Sequence, residues 1–215
     1  MKIFLDTGDA EAIRKACETG LVDGVTTNPS HIAKTQRKFG DVVEEICSIL
    51  PGPVSVEAVS ETAEGLIEEA VRLSGIAPNV VVKIPMTVEG LKAVPILEEE
   101  KKVMTNVTMI FSSTQSFLAM KAGASFVSIV LSRLDAVANE SDILVEDAVI
   151  TRDNYGFESE IIAGSIKTQN HILACLRAGV DIATMNPDLL FQMYKHPLTA
   201  EGLVQFAKDW AKVPK

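Results

Sequence analysis

The chain has 215 residues, 47% hydrophobic and 23% charged, enough to bury a sizeable core as one domain and incompatible with disorder or low complexity. A balance of 20 basic against 29 acidic residues gives a formal net charge of -9. That field repels phosphate backbones and anionic membranes, so neither a nucleic acid nor a membrane is an expected partner. The start, MKIFLDTGDA, lacks the long apolar stretch and cleavage site of a secretory signal, and no apolar run approaches the roughly 20 residues of a membrane span. Cys17, Cys47 and Cys175 are too few and too scattered for a disulfide framework or a metal knuckle, so the cytoplasm is the expected compartment.

Short β-type apolar runs alternate along the whole chain with longer stretches that repeat apolar residues every three or four positions. The spacing predicts strands at Lys2 to Asp6, Gly24 to Thr27, Val54 to Glu57 and Val80 to Ile84. Four more follow at Val103 to Thr108, Ser125 to Val130, Glu160 to Gly164 and Asp181 to Thr184. Amphipathic stripes between them are clearest at Phe39, Val42, Val43, Ile46, Cys47 and Leu50, and at Leu66, Ile67, Ala70 and Val71. Pro95 falls inside the helix expected after Thr87, a local conflict that the sequence does not resolve. A last stripe, Leu203, Phe206, Ala207 and Trp210, follows Thr199 as a candidate cap and predicts an appended helix over 199–212.

Strands about 25 residues apart, joined by helices rather than hairpin turns, are parallel. The architecture expected is a single α/β domain, a closed (β/α)8 TIM barrel over 1–215 with the added carboxyl-terminal helix. An open doubly wound sheet ranks second, because the first β-α turn reads Asp6-Thr7-Gly8-Asp9 and not GxGxxG.

In a barrel, chemistry sits where strands finish. Polar residues collect there: Asp6, Thr26, Thr27, Asn28, Glu57, Lys83, Asn106, Thr108, Ser128, Ser165 and Lys167. Lys83 is the least expected, since VVVKIP sets an amine inside an apolar strand, where desolvation favours the neutral, nucleophilic form able to attack a carbonyl and form a Schiff base. The alternative is a lysine that snorkels to the rim or pairs with Glu57. Glu57 and Asp6 are candidate proton-transfer groups; Asp6 could instead cap the first helix. Asp-Thr-Gly also matches the loop of aspartic proteases, but that chemistry needs a paired carboxylate loop in a β-rich fold. Ser165 and Lys167 precede a helix starting near Thr168, and with Arg133 they form a candidate phosphate clamp. Arg133 could otherwise pair with Asp135, and Lys167 could be a solvated charge. His31, His171 and His196 show no metal-ligand spacing, and GxSxG and GxxxxGK[ST] are absent, so no metal and no organic cofactor is expected.

These segments resemble a family. FLDT at Phe4 to Thr7, LVDGVTTNPS at Leu21 to Ser30, GPVSVE at Gly52 to Glu57, VVVKIPMTVEGLKA at Val80 to Ala93 and TNVTMIFS at Thr105 to Ser112 are similar to the small-subunit transaldolase and fructose-6-phosphate aldolase family. QSFLAMKAGASFVS at Gln115 to Ser128, RLD at Arg133 to Asp135, IIAGSIK at Ile161 to Lys167 and KHPLTAEGLVQFAKDW at Lys195 to Trp210 continue the match in order. The resemblance implies Lys83 as the Schiff-base lysine, Asp6 as the proton-transfer residue for carbon-carbon cleavage, and Glu57 with Thr108 as the pair handling a catalytic water. It assigns Thr26, Asn28 and Asn106 to the donor sugar and Arg133, Ser165 and Lys167 to its phosphate. It also implies sugar-phosphate substrates, no cofactor, and a homo-oligomeric ring, a pentamer or a decamer. Three positions depart from the pattern: Ile129 and Val130 in SIVLSR replace a proline and an aromatic, and Asn186 replaces an apolar residue or proline. Glu57, where the aldolase branch has glutamine, favours transaldolase, with the aldolase and a non-catalytic sugar-phosphate-binding barrel as the other readings.

Overall fold

The computed structural model describes residues 1–214. In chain order the elements begin β1 (Lys2–Asp6), α1 (Ala10–Cys17), β2 (Gly24–Thr26), α2 (Pro29–Lys34), α3 (Phe39–Ile49), β3 (Val54–Glu57) and α4 (Ala63–Ser74). Next come β4 (Val80–Pro85), α5 (Val88–Pro95), β5 (Thr105–Ile110), α6 (Ser113–Lys121), β6 (Phe126–Val130), α7 (Leu131–Asp135) and α8 (Ser141–Tyr155). β7 (Glu160–Ile166), α9 (Gln169–Ala178), β8 (Ile182–Met185), α10 (Pro187–Met193) and α11 (Pro197–Trp210) complete the chain. The strands pair in sequence order, all parallel, and β8 returns to β1, so the sheet closes into a (β/α)8 barrel with a carboxyl-terminal helix beyond it.

Period-two alternation divides each strand between two environments. Leu5, Val25, Val56, Val82, Ile84, Val107, Val127, Ala163 and Ala183 pack outward in one cluster with helix residues such as Ile13, Ile46, Leu66 and Val145. Phe4, Val81, Phe126, Ile162 and Ile182 form a separate cluster that plugs the barrel interior. Two residues further along those strands stand Asp6, Lys83, Ser128, Gly164 and Thr184, so the inner face turns polar one layer above an apolar floor. Gly24 makes room for that floor: a Cβ there would lie 2.6 Å from the Phe4 ring, and Phe4 has no exposed surface.

Local chemistry sets the helix starts. Asp9 Oδ1 accepts from the amides of Glu11 and Ala12, so Asp9, and not Asp6, caps α1. Asn28-Pro29 and Asn186-Pro187 are the same device, an asparagine cap followed by a proline whose missing N–H costs nothing in the first turn. Asn186 is thereby explained as a cap. α11 begins at Pro197 behind His196, which corrects the expected 199–212 helix and its Thr199 cap.

Pro95 also finds its account. The helix passes through it by widening into a π-helical turn, Ile96–Lys101, closed by Lys102 at φ 55°. Proline cannot donate to the preceding turn and crowds its carbonyl; a wider turn accommodates both. The Val103 amide bonds back to Leu97 O at 2.9 Å, so Val103 ends this turn and the fifth strand begins at Thr105, two residues later than its apolar content suggests. We expect Gly24→Ala to destabilise the protein by about 1–3 kcal/mol through overpacking against Phe4. Adding Phe4→Leu should recover part of that loss in urea unfolding.

Candidate active site

The carboxyl ends of the strands enclose a cavity of about 410 Å³. Asp6, Thr26, Asn28, Glu57, Lys83, Thr108, Arg133 and Ser165 all face it. Lys83 rises from the fourth position of β4 and is only 9% exposed. Its Nζ donates to the Thr27 carbonyl at 3.1 Å and to Glu57 Oε2 at 3.4 Å. Thr27 is held in turn, its hydroxyl donating to Ser55 O at 2.8 Å. The lysine therefore does not reach the rim; of the two structural alternatives, pairing with Glu57 is the one observed.

Across the cavity, Asp6 Oδ1 accepts from Thr26 Oγ1 at 3.0 Å, and Thr26 Oγ1 lies 2.7 Å from Thr184 Oγ1. The Thr26 hydroxyl is engaged in holding Asp6. Asn28 Oδ1 caps α2 through the His31 amide at 2.9 Å, which leaves its Nδ2 toward His31. Asn106 has no exposed surface and does not line the cavity: it donates to Ser55 Oγ at 3.1 Å and accepts from Ser128 Oγ at 2.7 Å. It buttresses the layer beneath.

Two strand ends are irregular. Register shifts occur in β5 between Val107 and Ile110 and in β7 between Ala163 and Ile166, with Met109 at φ 64° and Ser165 at φ 57°. Each bulge turns two successive residues, Thr108 and Met109, then Gly164 and Ser165, into the cavity. Non-glycine residues in the left-handed region are costly, and such strain concentrates at functional sites.

The three candidate phosphate donors do not share one pocket. Arg133 and Ser165 line the cavity with Lys83; Ser165 Oγ lies 2.5 Å from Ser132 Oγ, and Arg133 Nη1 contacts Met109 Sδ at 3.7 Å. Asp135 pairs with His171 at 2.8 Å and not with Arg133. Lys167 lines an adjoining cavity of about 750 Å³ with Arg37, Asp188 and the α1 start, which joins the first at Asp6, His31 and Lys34. Sequence reasoning missed His31, Ser132 and Thr184 as site residues. Thr184 stands one residue before the end of β8 and carries a hydroxyl, the kind of signal that singled out the others.

No thiol competes with the lysine amine. Burial pushes the Cys47 thiol up to about 11 and Cys175 up to about 12. Among the described residues, no group of three or more His, Cys, Asp or Glu is placed to hold a metal ion.

A closed barrel with a buried lysine and two carboxylates at the carboxyl ends of its strands has the form of a barrel enzyme. The family model described as Transaldolase/Fructose-6-phosphate aldolase matches residues 3–215, and the chain belongs to that family. It is 52% identical to a probable transaldolase of Aquifex aeolicus, covering all of this chain and 99% of the relative. It is 49% identical to those of Dictyoglomus turgidum and Geobacter sulfurreducens, with full coverage of both chains in each case. A solved thiamine phosphate pyrophosphorylase from Pyrococcus furiosus superimposes with a TM-score of 0.59 at 13% identity, covering 86% of this chain and 85% of that one, and shows the fold alone. No helix among the described residues is long and apolar enough to cross a membrane.

The loop after Glu57 is secured from below. Glu69 Oε2 accepts from the amides of Val59 and Ser60, at 2.9 and 3.0 Å, and from Ser60 Oγ at 2.8 Å. Burial would raise the Glu69 carboxyl, but these bonds and Arg72 outweigh it and hold it below its ordinary value of 4.5. A depressed folded value means that the stabilisation is complete above the unfolded value and is lost as pH falls through the folded one. Glu69→Ala should cost about 1–3 kcal/mol at neutral pH, and the difference from the parent should shrink below about pH 4.5 in urea titrations.

Proposed function

We propose that the protein is a transaldolase that moves a dihydroxyacetone unit from a ketose phosphate, fructose 6-phosphate or sedoheptulose 7-phosphate, to an aldose phosphate through a Schiff base at Lys83. One observation carries the reading: Lys83 Nζ lies 3.4 Å from Glu57 Oε2 in a cavity that Asp6 also faces. An amine must shed a proton before it can attack, and Glu57 is in position to take it. Nζ then adds to the ketone carbon, and Glu57 with Thr108 handles the water lost from the carbinolamine. Covalent attachment divides one hard step into easier ones, with the iminium as the electron sink and no cofactor required.

Asp6 removes a sugar hydroxyl proton, the carbon-carbon bond breaks into the iminium, and glyceraldehyde 3-phosphate departs. The enamine left on Lys83 attacks erythrose 4-phosphate, and hydrolysis of the new iminium releases sedoheptulose 7-phosphate. Asn28 Nδ2 is available to a sugar hydroxyl, whereas Thr26 serves by orienting Asp6. Arg133 and Ser165 meet the phosphate, with Lys167 behind them at the second cavity.

In this reading the enzyme works in the cytoplasm, in the pentose phosphate pathway, with neither nucleic acid nor membrane as a partner. The net charge of -9 supports the exclusion of nucleic acid and of anionic membranes as partners. The assembly is a pentameric ring or a pair of them: α11 has no buried residue and exposes Leu198, Leu203, Phe206 and Trp210, as a helix does when a neighbouring subunit covers it.

Incubation with fructose 6-phosphate and erythrose 4-phosphate should yield sedoheptulose 7-phosphate. Free dihydroxyacetone in its place would assign the chain to the aldolase branch, and no turnover would indicate a binding barrel. Lys83→Ala and Lys83→Arg should each lower kcat by at least about a thousandfold, since a guanidinium keeps the charge and loses the nucleophile. Folding should persist in Lys83→Ala, whose circular dichroism checks it.

A further inference from the structure

His31 stands where the two cavities meet and lines both. Because Asn28 Oδ1 is committed to capping α2, the carboxamide must turn Nδ2 toward the imidazole, 3.2 Å from Nδ1 and 3.4 Å from Nε2. An amide N–H only donates, and it stands almost equally close to both ring nitrogens, so it favours the neutral ring, one of whose nitrogens accepts, without fixing the tautomer. Nδ1 lies 3.7 Å from Asp6 Oδ1, beyond hydrogen-bond length, so it takes a proton from Asp6 only when the ring turns from the Asn28 amide toward the carboxylate. The β1–α1 loop passes close to the same segment: a Cβ on Gly8 would stand 3.0 Å from the His31 carbonyl oxygen.

We propose that His31 is the proton partner of Asp6, storing the proton taken from the donor sugar between departure of the first aldehyde and arrival of the second. The proposal rests on the transaldolase reading above. When the carbon-carbon bond breaks, its electron pair converts the Lys83 iminium cation into a neutral enamine, and the hydroxyl proton moves through Asp6 to Nδ1. The site loses a positive charge at Lys83 and gains one on the imidazole, beside a carboxylate that stays ionised. Attack on the acceptor reverses the sequence: the imidazolium returns its proton through Asp6 to the new hydroxyl oxygen, and the enamine becomes an iminium again. Nothing is oxidised or reduced.

The electrostatics favour that timing. The charged groups facing the ring are Asp6 of β1, Lys34 of α2, Lys83 of β4 and Lys167 beyond β7. Burial holds His31 below its ordinary value of 6.5; Asp6 opposes this, and the three lysines reinforce it. Enamine formation removes the positive charge at Lys83, so the imidazole becomes a better base in the step that delivers a proton to it.

Transfer from fructose 6-phosphate to erythrose 4-phosphate is measured from about pH 5 to 9 for the parent, His31→Gln and His31→Ala. Both variants should lose about tenfold or more in kcat while KM for fructose 6-phosphate stays within about twofold. The parent's fall in kcat on the acid side, where a protonated ring cannot take a second proton, should disappear from their profiles, and added imidazole should restore the His31→Ala rate. Unchanged kcat and pH profile in the variants would overturn the relay, as would a loss that leaves the profile intact and does not respond to imidazole. Should a variant fail to fold, NMR of the parent's His31 ring decides. Donor alone should convert it to imidazolium, and a ring that stays neutral contradicts the proposal. If the parent makes no sedoheptulose 7-phosphate, the transaldolase reading itself fails; if it does and the variants match it, the relay alone fails.

Discussion

An amine inside a barrel has little to bond with, and everything at this site is arranged around the few partners that Lys83 has. Its Nζ reaches one backbone carbonyl, on Thr27, and one carboxylate oxygen, on Glu57. Both are supported by other groups: the Thr27 hydroxyl is tied to Ser55 O, and the loop after Glu57 is held by Glu69. Charged groups in a low-dielectric site must be paired or surrender their charge, and Lys83 is paired. Glu57 is the carboxylate that Nζ reaches, while Asp6 is held apart from it by Thr26, itself paired with Thr184.

The barrel achieves this separation through layering. Phe4, Val81, Phe126, Ile162 and Ile182 fill the interior below, so polar side chains two residues later line the cavity above them. Asn106, Ser55 and Ser128 join that layer across three strands and have their polar groups satisfied by one another. The bulges at Met109 and Ser165 are the places where regular pleating is given up, and each delivers an extra side chain to the cavity. Left-handed backbone at such residues costs on the order of 1–3 kcal/mol each, which the surrounding sheet sustains because both strands are paired on both sides.

Much of this was legible in the chain. Five of the eight strand starts and the closed parallel order follow from the alternation of short apolar runs with helical stretches, while the fifth, sixth and eighth strands begin one or two residues later than their sequence suggests. The ends of β5 and β7 were not legible, because a methionine and a serine carry no local mark of left-handed backbone; only pairing with the neighbouring strands puts them there. Val103 reads as a strand residue by its β-branching, yet it closes the π-helical turn made by Pro95. That Asn106 bonds to Ser55 and Ser128 without lining the cavity, and that Lys167 lines the second cavity while Arg133 lines the first, are tertiary outcomes. His31 was visible as a residue but not as a neighbour of Asp6, since the two are brought together by the pairing of β1 with β2, Asp6 opposite Thr26, and not by any spacing in sequence.

The central claim is that the Lys83 amine becomes covalently bonded to a sugar carbonyl carbon. Borohydride reduction in the presence of fructose 6-phosphate, followed by peptide mass spectrometry, tests it most directly. The account predicts a stable three-carbon adduct on the peptide containing Lys83 and on no other lysine. An unmodified Lys83 under turnover conditions, or an adduct elsewhere in the chain, would contradict it.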